Sequence, residues 1–488
     1  METSASWNEL RKHTTPQWFR DAKFGIYTHW GVYSVPARGP NATWYPYNMY
    51  RENNEQYEYH KKTYGPPEKY GYREFISQFT AEKFDPDQWA ELFRESGAQF
   101  AGPVGEHHDG FCMWDTAYSE WNARKMGPKR DVVAELERAI RSQGLRFMVA
   151  LHHAENWWFF PHWRKEFDTT DPRFEGLYGK AHDVDMDPKK ALRLRPHELW
   201  PIMEKPTKEF LDVWLGKTRE VIDRFRPDLL WFDFALDYVQ EHYKRAMFSY
   251  YYSKAEEWKK EVVITYKWHH AVPGSAVIDL ELGRFSEMTY HDWITDTTVD
   301  DGSGWGYLKD TRYKSATSLI QYLVDNVSKN GYMLLNVGPK PNGEIPTEAV
   351  SILKAMGAWL RVNGEAVYGT TPWMLFGEGP TVMKKAGPFN EDQTLAYTPE
   401  DFRFTVKGDT LYAICLNVPR KSVTIKSLYQ RLYPSEIVSV SILGTEERPP
   451  WTFNPDGLTI SVPSNLPLEH AVVFKIARKE PFPIGGGR

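Results

Sequence analysis

Cysteine is nearly absent: Cys112 and Cys415 are the only two in 488 residues. Two thiols cannot build a disulfide framework and fall short of a cysteine-based zinc site, so both are read as free. No apolar run approaches the length of a membrane span. The first residues, Met1 to Trp7, lack the basic-then-apolar pattern of a signal peptide, so the chain as it stands is expected in the cytoplasm. Strong charge of one sign is missing as well. The net charge is −5 and the Lys and Arg residues are scattered, which argues against nucleic acid or an anionic membrane as partner. There is no internal repeat of solenoid or propeller period. Asn41-Ala42-Thr43 and Asn326-Val327-Ser328 are sequons that, without a signal, read as chance.

What is present is enough apolar sequence, 41% of the chain, for one large barrel and a smaller module. Aromatic residues are plentiful, with 20 Trp, 28 Tyr and 26 Phe. Flat rings suit the apolar faces of sugars, and they equally suit an aromatic-rich core.

Up to about residue 372, short apolar runs alternate with helical patterns, the signature of β/α units. Strands are expected at 24–28, 99–104, 145–151, 228–232, 262–265 and 333–336. Helices are expected at 131–143, 208–224, 235–258, 315–327 and 347–361, the first closed by Gly144. Beyond residue 372 the pattern changes to short β-branched runs spaced by turn residues, which predicts an antiparallel β-sandwich. The expected fold is therefore a (β/α)8-like TIM barrel over 1–372 and a sandwich over 373–480. Residues 481–488, with two prolines and three glycines, read as a disordered tail.

The segment Pro227-Asp228-Leu229-Leu230-Trp231-Phe232-Asp233 is the most telling. It has no polar face, so it reads as a strand buried on both sides that stops on a carboxylate. In a barrel, that strand end is where catalytic groups are presented; elsewhere such an Asp merely caps a helix. Other strand ends behave alike. Residues 24–28 lead into His29, 99–104 into His107 and His108, and 145–151 into His152 and His153. A lone His is usually a satisfied core residue, but four polar strand ends share one face of a barrel.

Two chemistries fit such a mouth. A metal hydrolase would use the pairs 107/108, 152/153 and 269/270, yet neighbouring strand residues point to opposite sides and no His-Glu-x-x-His helix is present. Glycoside hydrolysis needs two carboxylates, about 5–5.5 Å apart in retaining enzymes, and neutral His and Trp around them suit sugar hydroxyls and ring faces. No metal and no cofactor is expected.

The stretches WFRDAKFGIYTHWGVYSVPA (18–37), EHHDGFCMWDTAYSEWNARKMGPKRDVV (106–133), LLWFDF (229–234), VSKNGYMLLNVGPKPNGEIP (327–346) and WLRVNGEAVYGTTPW (359–373) closely resemble the α-L-fucosidases of glycoside hydrolase family 29. The resemblance covers the barrel in the family's order. It implies a retaining exo-α-L-fucosidase acting on a fucosylated oligosaccharide or glycoconjugate, and leaves room for a homo-oligomer. It makes Asp233 the nucleophile and Trp231 its neighbour, puts His29, His107 and His108 on sugar hydroxyls, Trp44 in the pocket and Trp305 beside the C6 methyl. The acid/base falls on a variable loop, where Glu281 matches the family's spacing and Glu287 is the reserve. A solvated loop carboxylate is the plain alternative for either.

Departures from the family accompany this likeness. Thr43-Trp44-Tyr45 stands where many members have Glu-Trp-Tyr, His152 or His153 replaces a Tyr, Trp293-Ile294 replaces Trp-Glu, and Lys267 replaces an arginine. An α-L-galactosidase, or another L-sugar hydrolase on this scaffold, and a sugar-binding protein without activity are the competing expectations.

Overall fold

The computed structural model describes residues 5–480 apart from 53, 195, 393–394, 433–435 and 464–468. The segment 481–488, read as a disordered tail, lies outside the described residues. Eight parallel strands close into a barrel in sequence order: β1 (Phe24–Thr28), β2 (Phe100–Glu106), β3 (Arg146–Leu151), β4 (Leu229–Phe232), β5 (Val263–Lys267), β6 (Val277–Asp279), β7 (Trp293–Thr298) and β8 (Gly331–Val337). Because all eight run the same way, their C-terminal ends form one face.

The interior is filled by alternate strand residues, among them Tyr27, Phe100, Met148, Trp231, Val263 and Leu334. Residues of opposite parity, such as Ile26, Phe147, Leu230, Ile264 and Leu335, face the helical layer and join a second, larger core. Local chemistry sets the helices. Asp131 accepts from the Ala134 amide to start the helix Val132–Ser142, and Thr207 accepts from the Phe210 amide to start Lys208–Phe225. Arg226, left-handed at φ 44°, ends the latter. No helix among the described residues is long and apolar enough to cross a membrane.

The structure corrects the sequence reading in three places. The strands β6 and β7 were not expected. β6 is only three residues long, and β7 reads Trp-Ile-Thr-Asp-Thr-Thr, a polar pattern that imitates a loop although every residue is buried. The helix expected from 235 begins at Glu241, because Ala235 takes a left-handed φ of 70° and residues 234–239 turn across the barrel mouth.

After the barrel, β9 (Thr371–Glu378), β10 (Phe402–Lys407), β11 (Thr410–Cys415), β12 (Ser422–Ile425), β13 (Ile437–Ile442), β14 (Trp451–Asn454), β15 (Gly457–Ser461) and β16 (Val472–Arg478) form two antiparallel sheets. The larger has the order β13-β16-β11-β10-β9 and the smaller β12-β15-β14. One core between them joins Phe404, Ala413 and Phe474 to Ile425 and Ile460. The outer face of the larger sheet seats Tyr412, Ile414 and Val473 on the barrel's core. Two hydrogen bonds pin the contact, from Gln321 to the Leu416 carbonyl at 2.6 Å and from Trp359 to the Ala471 carbonyl at 2.9 Å.

Candidate active site

At the C-terminal face the barrel opens into a cavity of about 200 Å³. That is below the roughly 300–1,000 Å³ of sites for larger ligands and suits one monosaccharide. His29, His107, His108, His152, Trp231, Asp233, Lys267, Glu281, Trp44 and Trp305 all line it. A larger cleft of about 600 Å³, beside Arg11 and Tyr252, contains neither Asp233 nor Glu281.

Asp233, 7% exposed, follows the end of β4. Its Oδ2 accepts from His152 Nδ1 at 2.8 Å and faces His108 Nε2 at 3.3 Å; its Oδ1 faces Lys267 Nζ at 3.1 Å. Burial alone would raise its pKa, but Lys267, His152 and His108 outweigh that and hold it well below the usual carboxylate range. It is therefore ionised.

Lys267 ends β5 and stands at the electrostatic centre. Its ammonium touches Asp233 and Glu281 and lies 3.8 Å from Asp296. Burial lowers its pKa, but Asp296, Glu281 and Asp233 together drive it well above normal, so it remains a cation. Glu281 behaves oppositely to Asp233. Burial, only partly offset by Lys267 and reinforced by Asp296 and Asp233, pushes it up to about 8. At neutral pH one ammonium thus bridges an ionised carboxylate and a protonated carboxyl.

Below them lies a floor of hydrogen bonds. Tyr27 donates to Asp296 at 2.8 Å and Trp231 Nε1 to Asp279 at 2.8 Å. Asp279 is driven well above the carboxylate range by burial and by the adjacent Asp296, which leaves it neutral.

The imidazoles divide by partner. His108 donates from Nδ1 to the His152 carbonyl at 3.1 Å, while Nε2 sits between Glu155 at 3.2 Å and Asp233. Since the carbonyl oxygen only accepts, and the ionised Asp233 beside Nε2 likewise only accepts, both nitrogens carry protons. Despite burial, Glu155 and Asp233 accordingly raise its pKa. His29, His107 and His152 are lowered by burial and stay neutral. His29 gives its Nδ1 proton to Asn336 and His152 gives its own to Asp233, which leaves Nε2 of each as a lone-pair acceptor. His107 Nδ1 and His152 Nε2 have no partner. The ligand atoms of His29, His107 and His152 lie within 4.8 Å of one another, a spacing able to take sugar hydroxyls or a cation.

His153 is not part of the cavity. It turns outward from the start of the short helical turn that follows β3, donating from Nε2 to the Trp214 carbonyl at 3.2 Å. Of His152 and His153, His152 is the one that lines the cavity. His107 and His108 lie in the turn after β2, and both line the cavity. Glu287 is exposed on the loop between β6 and β7 and does not line this cavity.

Sequence reasoning missed several residues. Glu155, fully buried and pushed up to about 8 by burial, backs His108. Asp279 and Asp296 were hidden in the unexpected strands. Phe389 enters the cavity from the segment between β9 and β10, and nothing in the sequence ties it to the barrel.

A family model described as alpha-L-fucosidase matches residues 1–365. The tissue alpha-L-fucosidase of Bos taurus is 30% identical over 486 residues, covering 96% of this chain and 90% of the relative. That of Homo sapiens is 30% identical over 485 residues, covering 96% and 91%. The crystal structure of Thermotoga maritima alpha-fucosidase in complex with fucose superposes with a TM-score of 0.75 at 31% identity, over 96% of this chain and 99% of that one.

Proposed function

We propose a mechanism from one premise: the chain belongs to the alpha-L-fucosidase family of glycoside hydrolases. It releases terminal α-L-fucosyl groups from fucosylated glycans by double displacement, with retention at the anomeric carbon. The observation that carries this reading is the Lys267 ammonium between an ionised Asp233 and a protonated Glu281.

Asp233 attacks C1 as the bond from C1 to the leaving oxygen breaks, and that oxygen takes the proton of Glu281. Glu281, now a carboxylate, then takes a proton from water, whose oxygen attacks C1 and frees Asp233. Lys267 stays protonated throughout and balances whichever carboxylate is charged. The lone pairs of His29, His107 and His152 accept from ring hydroxyls, and the Trp44 and Trp305 rings wall the sugar. His107 Nδ1 and His152 Nε2 are buried without a partner, and sugar hydroxyls would supply one.

Turnover of a nitrophenyl α-L-fucoside tests this directly. Asp233→Ala should lower kcat by roughly 10³-fold or more. Added azide should restore part of the rate by occupying the emptied space, giving a fucosyl azide of inverted configuration. Turnover close to that of the unaltered protein would overturn the nucleophile.

A further inference from the structure

Among the described residues, Trp268, Trp305 and Phe389 are the Trp, Tyr or Phe residues held in left-handed backbone, at φ 50°, 52° and 57°. That conformation is unfavourable for a bulky side chain, and such strain gathers where a site requires it. All three stand around one cavity. Trp305 and Phe389 line it, and Trp268 packs 4.8 Å from its lining residue Phe234. Trp305 is buried as a wall, whereas Trp268 and Phe389 are 47% and 54% exposed. Exposed rings clustered at a pocket mouth mark an interaction site.

Their place relative to Glu281 decides what they meet. The Phe389 amide donates to the Glu281 carbonyl at 2.8 Å, and the Gly387 amide to the Arg284 carbonyl at 2.9 Å, so residues 387–389 run alongside the Glu281 loop. The approach is tight: a Cβ at Gly283 would lie 2.1 Å from the Gly387 oxygen. The Phe389 ring stacks on Phe234 at 6.1 Å and 21°, with Trp268 against Phe234 as well. These rings form the rim on the Glu281 side of a cavity that holds one sugar and is closed below by Tyr27, Trp231 and Asp296. A group that leaves through the oxygen protonated by Glu281 has to emerge past that rim.

We propose that Phe389 and Trp268, with Phe234 between them, form the subsite for the leaving-group sugar and take the apolar face of the pyranose to which fucose is linked. A pyranose presents a patch of C–H groups on one face, and a flat aromatic ring matches it. The subsite rests on the reading of Glu281 as proton donor in a fucosidase. One of its rings, Phe389, is supplied by the segment that joins β9 to β10, so chain from outside the barrel reads the aglycone.

The test compares kcat/KM for a fucosyl pyranose disaccharide with that for α-L-fucosyl fluoride, whose leaving group has no ring. In Phe389→Ala and in Trp268→Ala the disaccharide-to-fluoride ratio should fall about tenfold, the effect of losing one aromatic face. Phe389→Tyr, which keeps the ring, should keep the ratio. A ratio unchanged in both alanine variants overturns the subsite, and so does a fall carried wholly by the disaccharide's kcat with its KM unmoved, which marks a displaced Glu281 loop and not a lost sugar contact. Unaltered protein inert on both substrates overturns the fucosidase reading and the subsite with it.

Discussion

Protonation states, more than residue types, distinguish the two central carboxyl groups. Asp233 and Glu281 share Lys267, yet Asp233 also accepts from His152 and faces the His108 imidazolium, and Glu281 has neither. In the proposed mechanism that difference suits Asp233 to attack and Glu281 to donate a proton. Since Glu281 is raised to about 8, it holds its proton below that pH, and the alkaline limb of the rate profile should fall as pH rises through it. In Glu281→Ala that limb should vanish. A nitrophenyl fucoside, whose leaving group needs no proton, should give a burst followed by slow turnover, and a disaccharide should be nearly inert. Stopped-flow traces and pH profiles of the two substrates check this. Equal loss on both substrates, with the alkaline limb intact, would remove Glu281 from the role.

At the level of elements, what the sequence made legible follows from where hydrophobicity signals structure. β1, β3 and β4 are continuous apolar runs, each readable together with the polar residue at its end, and β8 was readable as a strand alone. β7 was not, because Thr295, Asp296, Thr297 and Thr298 are polar residues satisfied inside the barrel, and burial of that kind leaves no periodic trace. Glu155 was missed for a related reason: it stands in a short helical turn after β3, and only three-dimensional packing puts it behind His108. Close strand packing yields a test. A Cβ at Gly102 in β2 would lie 1.7 Å from the Met148 carbonyl oxygen of β3, backbone that cannot step aside. At Gly105, three positions on, the nearest atoms are side-chain carbons at 3.0 and 3.4 Å. Gly102→Ala should therefore destabilise the barrel by about 3 kcal/mol or prevent folding, with Gly105→Ala milder. Thermal unfolding of both variants decides it, and equal midpoints would mean that β2 and β3 separate freely.

Across the whole molecule, the sandwich is linked to the Glu281 loop through a buried carboxylate. Asp325, on the barrel helix Ala316–Ser328, binds Arg284 of the Glu281 loop at 3.1 Å, Lys329 at 2.9 Å and Arg403 of β10. One buried carboxylate thus ties the Glu281 loop to both domains. Burial works against its charge, but Lys329, Arg403 and Arg284 hold its pKa far below normal. A depressed folded pKa stabilises the fold above the ordinary Asp range near pH 3.9, and the contribution is lost only as pH falls below that value. At neutral pH it is fully present. Asp325→Asn leaves three buried cations without their counter-ion, which should cost about 3–5 kcal/mol in stability. The same change frees Arg284, so the Glu281 loop should sit less well over the leaving oxygen. Disaccharide hydrolysis, which depends on proton donation, should then fall further than hydrolysis of a nitrophenyl fucoside in the protein that remains folded. A variant that loses stability while both substrates slow in proportion would confine Asp325 to joining the domains, with no influence on how Glu281 is placed.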